Sequence, residues 1–286
     1  MNKQRAYLAL AATVTGLLVW STVPAKPMSL AEVSHIHGIA IDPGNPGAVF
    51  LATHFGLYRG KSDGTAEPVS TDRNDYMGFT PDPANQGRLF ASGHPEGGGN
   101  MGVIFSDDSG ASWTQLSTGA NGPVDFHAMT ASRADTKTMY GLSGGIQVSR
   151  DSGASWTVAG PGPDRMIDLA ASPSVPDVVY AGTVGGLMRS VDAGQTWALI
   201  GPANVATSMV EATADGSVYA FFAGGGLFKL SEGEGKWTAL ASNFGQSYML
   251  HIAGDAADPN HLVAVTETGA ILESRDGGTT WKPFGA

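Results

Sequence analysis

Cysteine is absent from this 286-residue chain. Disulfide staples, iron–sulfur clusters, thiolate metal sites and cysteine nucleophiles are excluded together. Charge is scarce as well. Asp, Glu, Lys and Arg make up 15% of the residues, and 26 acidic side chains outnumber 16 basic ones. A net charge of −10 leaves no basic footprint for nucleic acid or for an anionic membrane surface. Glycine, by contrast, is plentiful. Forty glycines without a collagen period mean many turns, which favours short strands over long helices. At about 100–200 residues per domain, the length allows one large domain or two small ones.

The N-terminus reads as an export signal. Lys3 and Arg5 form a basic flank, Ala6 to Val23 is largely apolar, and Val23-Pro24-Ala25 offers small residues before a cut at Lys26. Residues 1–25 are therefore expected to be a signal peptide or an uncleaved anchor, the only route to a membrane. Either places the rest in the periplasm or outside the cell. Residues 26–34 read as a linker.

From residue 35 the chain repeats. Ser106-Asp107-Asp108-Ser109-Gly110-Ala111-Ser112-Trp113 returns as Ser149 to Trp156, Ser190 to Trp197 and Ser274 to Trp281, with a worn copy at Ser231 to Trp237 and a poorer one at Ser62-Asp63-Gly64. The starting serines are 44, 43, 41, 41 and 43 residues apart. Such a period marks a repeat architecture. Around each turn lie three further apolar segments, for example 37–41, 48–53 and 56–59, so each repeat supplies four strands. The expected fold is all-β: a six-bladed β-propeller of four-stranded antiparallel blades over residues 35–286.

The pattern Ser-x-Asp-x-Gly-x-Thr-Trp resembles the Asp-box, and the chain resembles the Asp-box (BNR-repeat) propellers. These include sialidases and other glycosyl hydrolases, sortilin-like receptors and photosystem assembly factors. The resemblance implies a fold and not a function. It also implies that the boxes lie on the face opposite the ligand-binding mouth, and that inner strands start at that mouth.

On this frame six of the seven histidines fall on one rim. His35 and His37 open the inner strand of blade one, His127 takes the place of His37 in blade three, and His251 begins the inner strand of blade six. His54 and His94 lie in the loops between second and third strands of blades one and two. Met77 takes the His37 position in blade two, and Met101 closes the glycine-rich loop 93–100. Asp75 and Asp125 align with His35, Asp168 with Gly38, and Glu211 with His251. Imidazole suits copper and zinc, and thioether sulfur shifts the choice toward copper. The metal-site expectation is therefore His35, His37, His54, His94, His127, His251, Met77 and Met101, with copper as the ion and zinc as the alternative.

Two other functions stay open. Asp168 and Glu211 in adjacent blades supply the two carboxyls a glycosidase needs. A sialidase additionally needs an arginine triad, for which Arg165 sits at the right end and Arg73 in a preceding loop is a second candidate. A propeller surface also suits an interaction scaffold for another exported protein, although that leaves the one-sided histidines unexplained.

Overall fold

The computed structural model describes residues 27–286; the stretch read as an export signal lies outside the described residues. Six antiparallel sheets follow one another along the chain. Their first strands are Ile36–Ile41, Asp75–Pro81, Met129–Ala131, Met166–Ala171, Thr207–Ala212 and Met249–Gly254. These strands line a central channel of about 800 Å³. The protein is a six-bladed β-propeller, as its repeat predicts.

The second strand of each blade is sandwiched on both faces, which is why it reads as a continuous apolar run. Ala48–Thr53, Ser217–Phe222 and Leu262–Thr266 are buried along their whole length. Phe50, Phe90, Tyr140, Tyr180, Tyr219 and Val263 take equivalent places in these strands. Across the ladder they face Ala40, Thr80, Thr130, Ala170, Glu211 and Ala253. This register corrects one sequence alignment. Glu211 stands at the level of Ala40, two residues deeper than the shortened turn of blade five suggested.

The repeated turn is a closed hydrogen-bond circuit. Ser149 Oγ donates to Asp151 Oδ1 at 2.8 Å and accepts from Gly153 N at 2.8 Å, and Asp151 Oδ2 accepts from Ser155 Oγ at 2.6 Å. The turns beginning at Ser106, Ser190 and Ser274 repeat it. Gly153 holds φ at 88°, a left-handed conformation that side chains disfavour. Trp156 then folds back, donating its indole N–H to the Gly153 carbonyl at 3.0 Å.

Each turn tryptophan packs its blade against the preceding one. Trp113 lies against the cluster shared by blades one and two, Trp156 between two and three, Trp197 between three and four, Trp237 between four and five, and Trp281 between five and six. Blade one has no tryptophan in its turn, and the chain solves this differently. Residues 28–33, read from sequence as linker, pack onto blade one. Met28–Ser29 adds a fifth strand beside Thr65–Pro68, and Leu30 and Val33 are buried in the cluster joining blade six to blade one. Phe284 completes that cluster from the C-terminus. Ring closure thus rests on side-chain packing where the repeat lacks its own wedge.

A first expected result follows from this closure. Leu30→Ala should destabilise the propeller by about 2–4 kcal/mol, as for other buried leucines that leave a cavity. Removal of residues 1–25 should leave the melting temperature unchanged. Thermal melts of the two variants check both; equal melting of Leu30→Ala and the parent would show that the segment is dispensable.

Candidate functional site

The inner strands share an irregularity at the mouth of the channel. A register shift leaves one residue unpaired after Ile36, Met166, Thr207 and Met249, and in blade one that residue is His37. Bulges re-aim side chains. Here the imidazole of His37 meets that of His54, which follows the second strand, with ring centroids 4.3 Å apart. His35 precedes the strand at a φ of 54°, and its ring lies 5.1 Å from His54. Three of the predicted rim histidines therefore converge.

The anchor of this group is Asp75, the first residue of the inner strand of blade two. His54 Nδ1 donates to Asp75 Oδ2 at 2.6 Å, so the lone pair of the neutral ring sits on Nε2. The other oxygen, Oδ1, lies 3.9 Å from His37 Nε2. Both of these atoms are buried, and neither has a hydrogen-bond partner. That separation is close to twice a metal–ligand bond of ~2.0–2.2 Å. One donor atom each from His37, His54 and Asp75 falls within 4.8 Å of the others. Burial and the neighbouring His54 lower the pKa of His37, which keeps the ring neutral and able to ligate.

A second carboxylate carries two of the remaining three rim histidines. Asp125 Oδ2 lies 3.0 Å from His94 Nε2 and 3.0 Å from His127 Nε2. His251 behaves differently. Burial, with His37 nearby, pushes its pKa down to about 4 against a smaller opposing effect of the Ile36 backbone. The methionines depart from expectation. Met101 packs against the apolar cluster between blades one and two, and Met77 is buried in blade two. The donors that the structure brings together at the rim are imidazole nitrogens and carboxylate oxygens.

Asp75 and Asp125 were visible in the sequence as residues aligned with His35, yet not counted as ligands. The signal was there. Each stands two residues before the place that His37 and His127 occupy, and each faces a histidine of the preceding blade.

Backbone shape holds Asp75 in place. It pairs with His94 across blade two, and the intervening Gly93 has φ of 117°. A Cβ on Gly93 would sit 2.1 Å from the Asp75 carbonyl oxygen. Gly93→Ala is therefore expected to displace both Asp75 and His94, destabilising the fold by several kcal/mol. Chemical denaturation measures the effect, and a stability within about 0.5 kcal/mol of the parent would contradict it.

Deeper in the channel lie Asp168 and Glu211. Burial raises Asp168 to about 7, and burial together with Asp168 raises Glu211 to about 8 against a smaller opposing effect of Arg133. Asp168 is committed to the backbone. Its Oδ1 accepts from Leu169 N at 2.9 Å and its Oδ2 from Val210 N at 2.9 Å, stitching blade four to blade five.

No family model matches this chain, and no curated protein matches it. Solved structures do. The chain is similar to a GH74 enzyme of Niastella koreensis at 20% identity and a TM-score of 0.61, over 87% of this chain and 45% of that one. It is similar to YCF48 bound to D1 peptide at 21% identity and a TM-score of 0.54, over 91% and 84% of the two chains. A third likeness is to a putative gluconolactonase, at 14% identity and a TM-score of 0.60, over 87% and 91%. The likeness is one of fold. The chain spans less than half the length of the GH74 enzyme.

Proposed function

We propose that this protein is an exported metal-binding propeller of Asp-box type, holding a divalent transition-metal ion at the mouth of its channel through His37, His54 and Asp75. The observation that carries this reading is the pair of buried, unpartnered atoms, His37 Nε2 and Asp75 Oδ1, facing each other at 3.9 Å. Unsatisfied buried polar atoms are expensive, and a cation between them satisfies both. His35, its ring 5.1 Å from that of His54, lies beside this group without joining it. The nitrogen and oxygen donors favour Cu(II), which binds such sets most tightly among the divalent first-row ions, with zinc as the alternative. Without thioether donors the preference for Cu(I) loses its support. Three side-chain donors leave coordination positions open, which suits a carrier or resistance factor that hands its ion on, or an oxidoreductase.

Metal analysis tests this directly. Purified protein, dialysed after loading with copper or zinc, should retain the ion, and copper should displace zinc. Protein that returns metal-free after either loading would sink the proposal.

A second reading rests on a separate feature. Ile200, Pro202, Val205, Phe222, Phe228 and Trp237 line an apolar pocket of about 470 Å³ at blades four and five. Such a pocket suits an apolar side chain of a protein partner, and one structural neighbour is a complex with a peptide. The glycosidase reading is weaker. Asp168 spends both oxygens on backbone amides, which fits a stitch between blades better than a general acid.

A further inference from the structure

We infer that the rim holds two cations rather than one, with a second position at Asp125 served by His94 and His127. This inference rests on the metal-binding reading and extends it to a site of different residues.

The repeat itself argues for it. His54 and His94 occupy the same place in their blades, two residues beyond Ala52 and Ser92, which pair with Gly38 and Met77 at the mouth. Asp75 and Asp125 likewise stand two residues before Met77 and His127. The pair His54–Asp75, from blades one and two, is thus reproduced one blade further on as His94–Asp125, from blades two and three. In each pair one carboxylate oxygen meets the histidine, and the other is buried without a partner. Each carboxylate also has a second imidazole at hand: His37 for Asp75, and His127 for Asp125.

Hydrogen-bond polarity strengthens the case. His94 Nδ1 lies 2.7 Å from the Gly99 carbonyl, an atom that only accepts, so Nδ1 carries the hydrogen. In the neutral ring Nε2 then turns a lone pair toward Asp125 Oδ2, 3.0 Å away. Two acceptors at that distance need a positive charge between them, either a proton, which the Gly99 carbonyl and Asp125 favour by raising the pKa of His94, or a metal ion in its place. His127 is largely exposed and must turn its ring toward His94 to share an ion, because the two imidazoles and Asp125 do not all lie within 4.8 Å of one another as they stand. The loop that carries His94 passes through Gly97, Gly98 and Gly99, where added side chains would meet nothing, so it has room to adjust as a ligand closes.

The two positions adjoin. Asp75 and His94 are cross-strand partners, and Asp75 contributes to the electrostatic environment of His94 as His127 does to that of His37. The rim is therefore a continuous alternation of imidazole and carboxylate across three blades.

The test is stoichiometry with the full-length chain, using Cu(II) alone, read by elemental analysis and by electron paramagnetic resonance. The parent should bind two equivalents, with dipolar broadening between the paired ions. Asp125→Asn and His127→Ala should each retain one equivalent with an unbroadened spectrum, and so should His37→Ala. Combining Asp125→Asn with His37→Ala should leave none, while thermal melts report that each variant is folded. A parent that binds one equivalent, lost in His37→Ala and kept in Asp125→Asn, would overturn the second position and leave the first standing. That outcome assigns the positive charge on His94 to a proton. Two equivalents unaffected by Asp125→Asn would also overturn it, and no binding by the parent would remove both readings.

Discussion

Asp75→Asn is expected to weaken Cu(II) binding at the first position by more than a hundredfold, measured by competition with a chelator of known affinity. The carboxylate does two things at once. In the proposed site its Oδ1 is a donor to the ion, and its Oδ2 fixes the tautomer of His54 through the 2.6 Å hydrogen bond. Loss of an outer-shell partner alone lowers affinity ~10–100-fold, and removal of a ligand atom adds to that. An asparagine preserves size and leaves the strand pairing with His94 intact, so stability should change by about 1 kcal/mol or less. His37→Ala should show a comparable loss of affinity through a different atom. An affinity within tenfold of the parent in both variants would move the site elsewhere. The pH profile carries its own signature. Because burial lowers the pKa of His37, protonation of this ligand should begin to compete with the metal only below the usual histidine range.

How much of this was legible beforehand differs between fold and site. The six turns, four of them intact Ser-x-Asp-x-Gly copies, repeat every 41–44 residues and fix the blade count, because turn, glycine and tryptophan act locally within each hairpin. What local signals could not show was how the ring closes. Leu30 and Val33 replace a tryptophan that blade one lacks, and nothing in their own neighbourhood distinguishes them from linker. The shared rim of His35, His37, His54, His94 and His127 could be read from strand position alone. The division of that rim between two carboxylates could not. It depends on which oxygen faces which ring, a matter of ångströms set by the bulge at His37 and the backbone at Gly93. Methionines misled for a related reason. Met77 and Met101 are close to the rim in sequence, but an apolar side chain beside a packed blade interface gains more by burial than by facing water at the mouth. Glu211 was placed two residues too shallow because the blade-five turn is shorter, a change that preserves the strand face while moving the level.

The channel carboxyls lead to the second large effect, a loss of stability as the solution becomes alkaline. In the folded protein Asp168 titrates at about 7 and Glu211 at about 8, both raised chiefly by burial, whereas in the unfolded chain both ionise near 4. Between those limits the native state holds more protons than the unfolded state, so stability falls as pH rises through this window. His251 acts in the opposite sense. Its folded pKa of about 4 lies below the unfolded value, so its contribution is lost as pH falls from the usual histidine range toward 4. Two carboxyls outweigh one imidazole, and above the histidine range only the carboxyls act. The parent should therefore be less stable at pH 8 than at pH 5 by roughly 2–3 kcal/mol, the channel's water moderating a larger ideal value. For a chain of this size that is a fall in melting temperature of about 5 °C or more. Glu211→Gln is the clean probe. Asp168→Asn would turn an amide N–H₂ toward the N–H of Leu169 or Val210, where the carboxyl accepts from both. Glutamine at 211 keeps the shape, removes the charge, and should recover about half of the stability lost between pH 5 and pH 8. The repulsion between the two carboxyls falls on Glu211, so Asp168, raised by burial alone, should keep its place in that variant. Parallel melting curves for parent and Glu211→Gln across this range would show that the channel carboxyls do not govern the pH response.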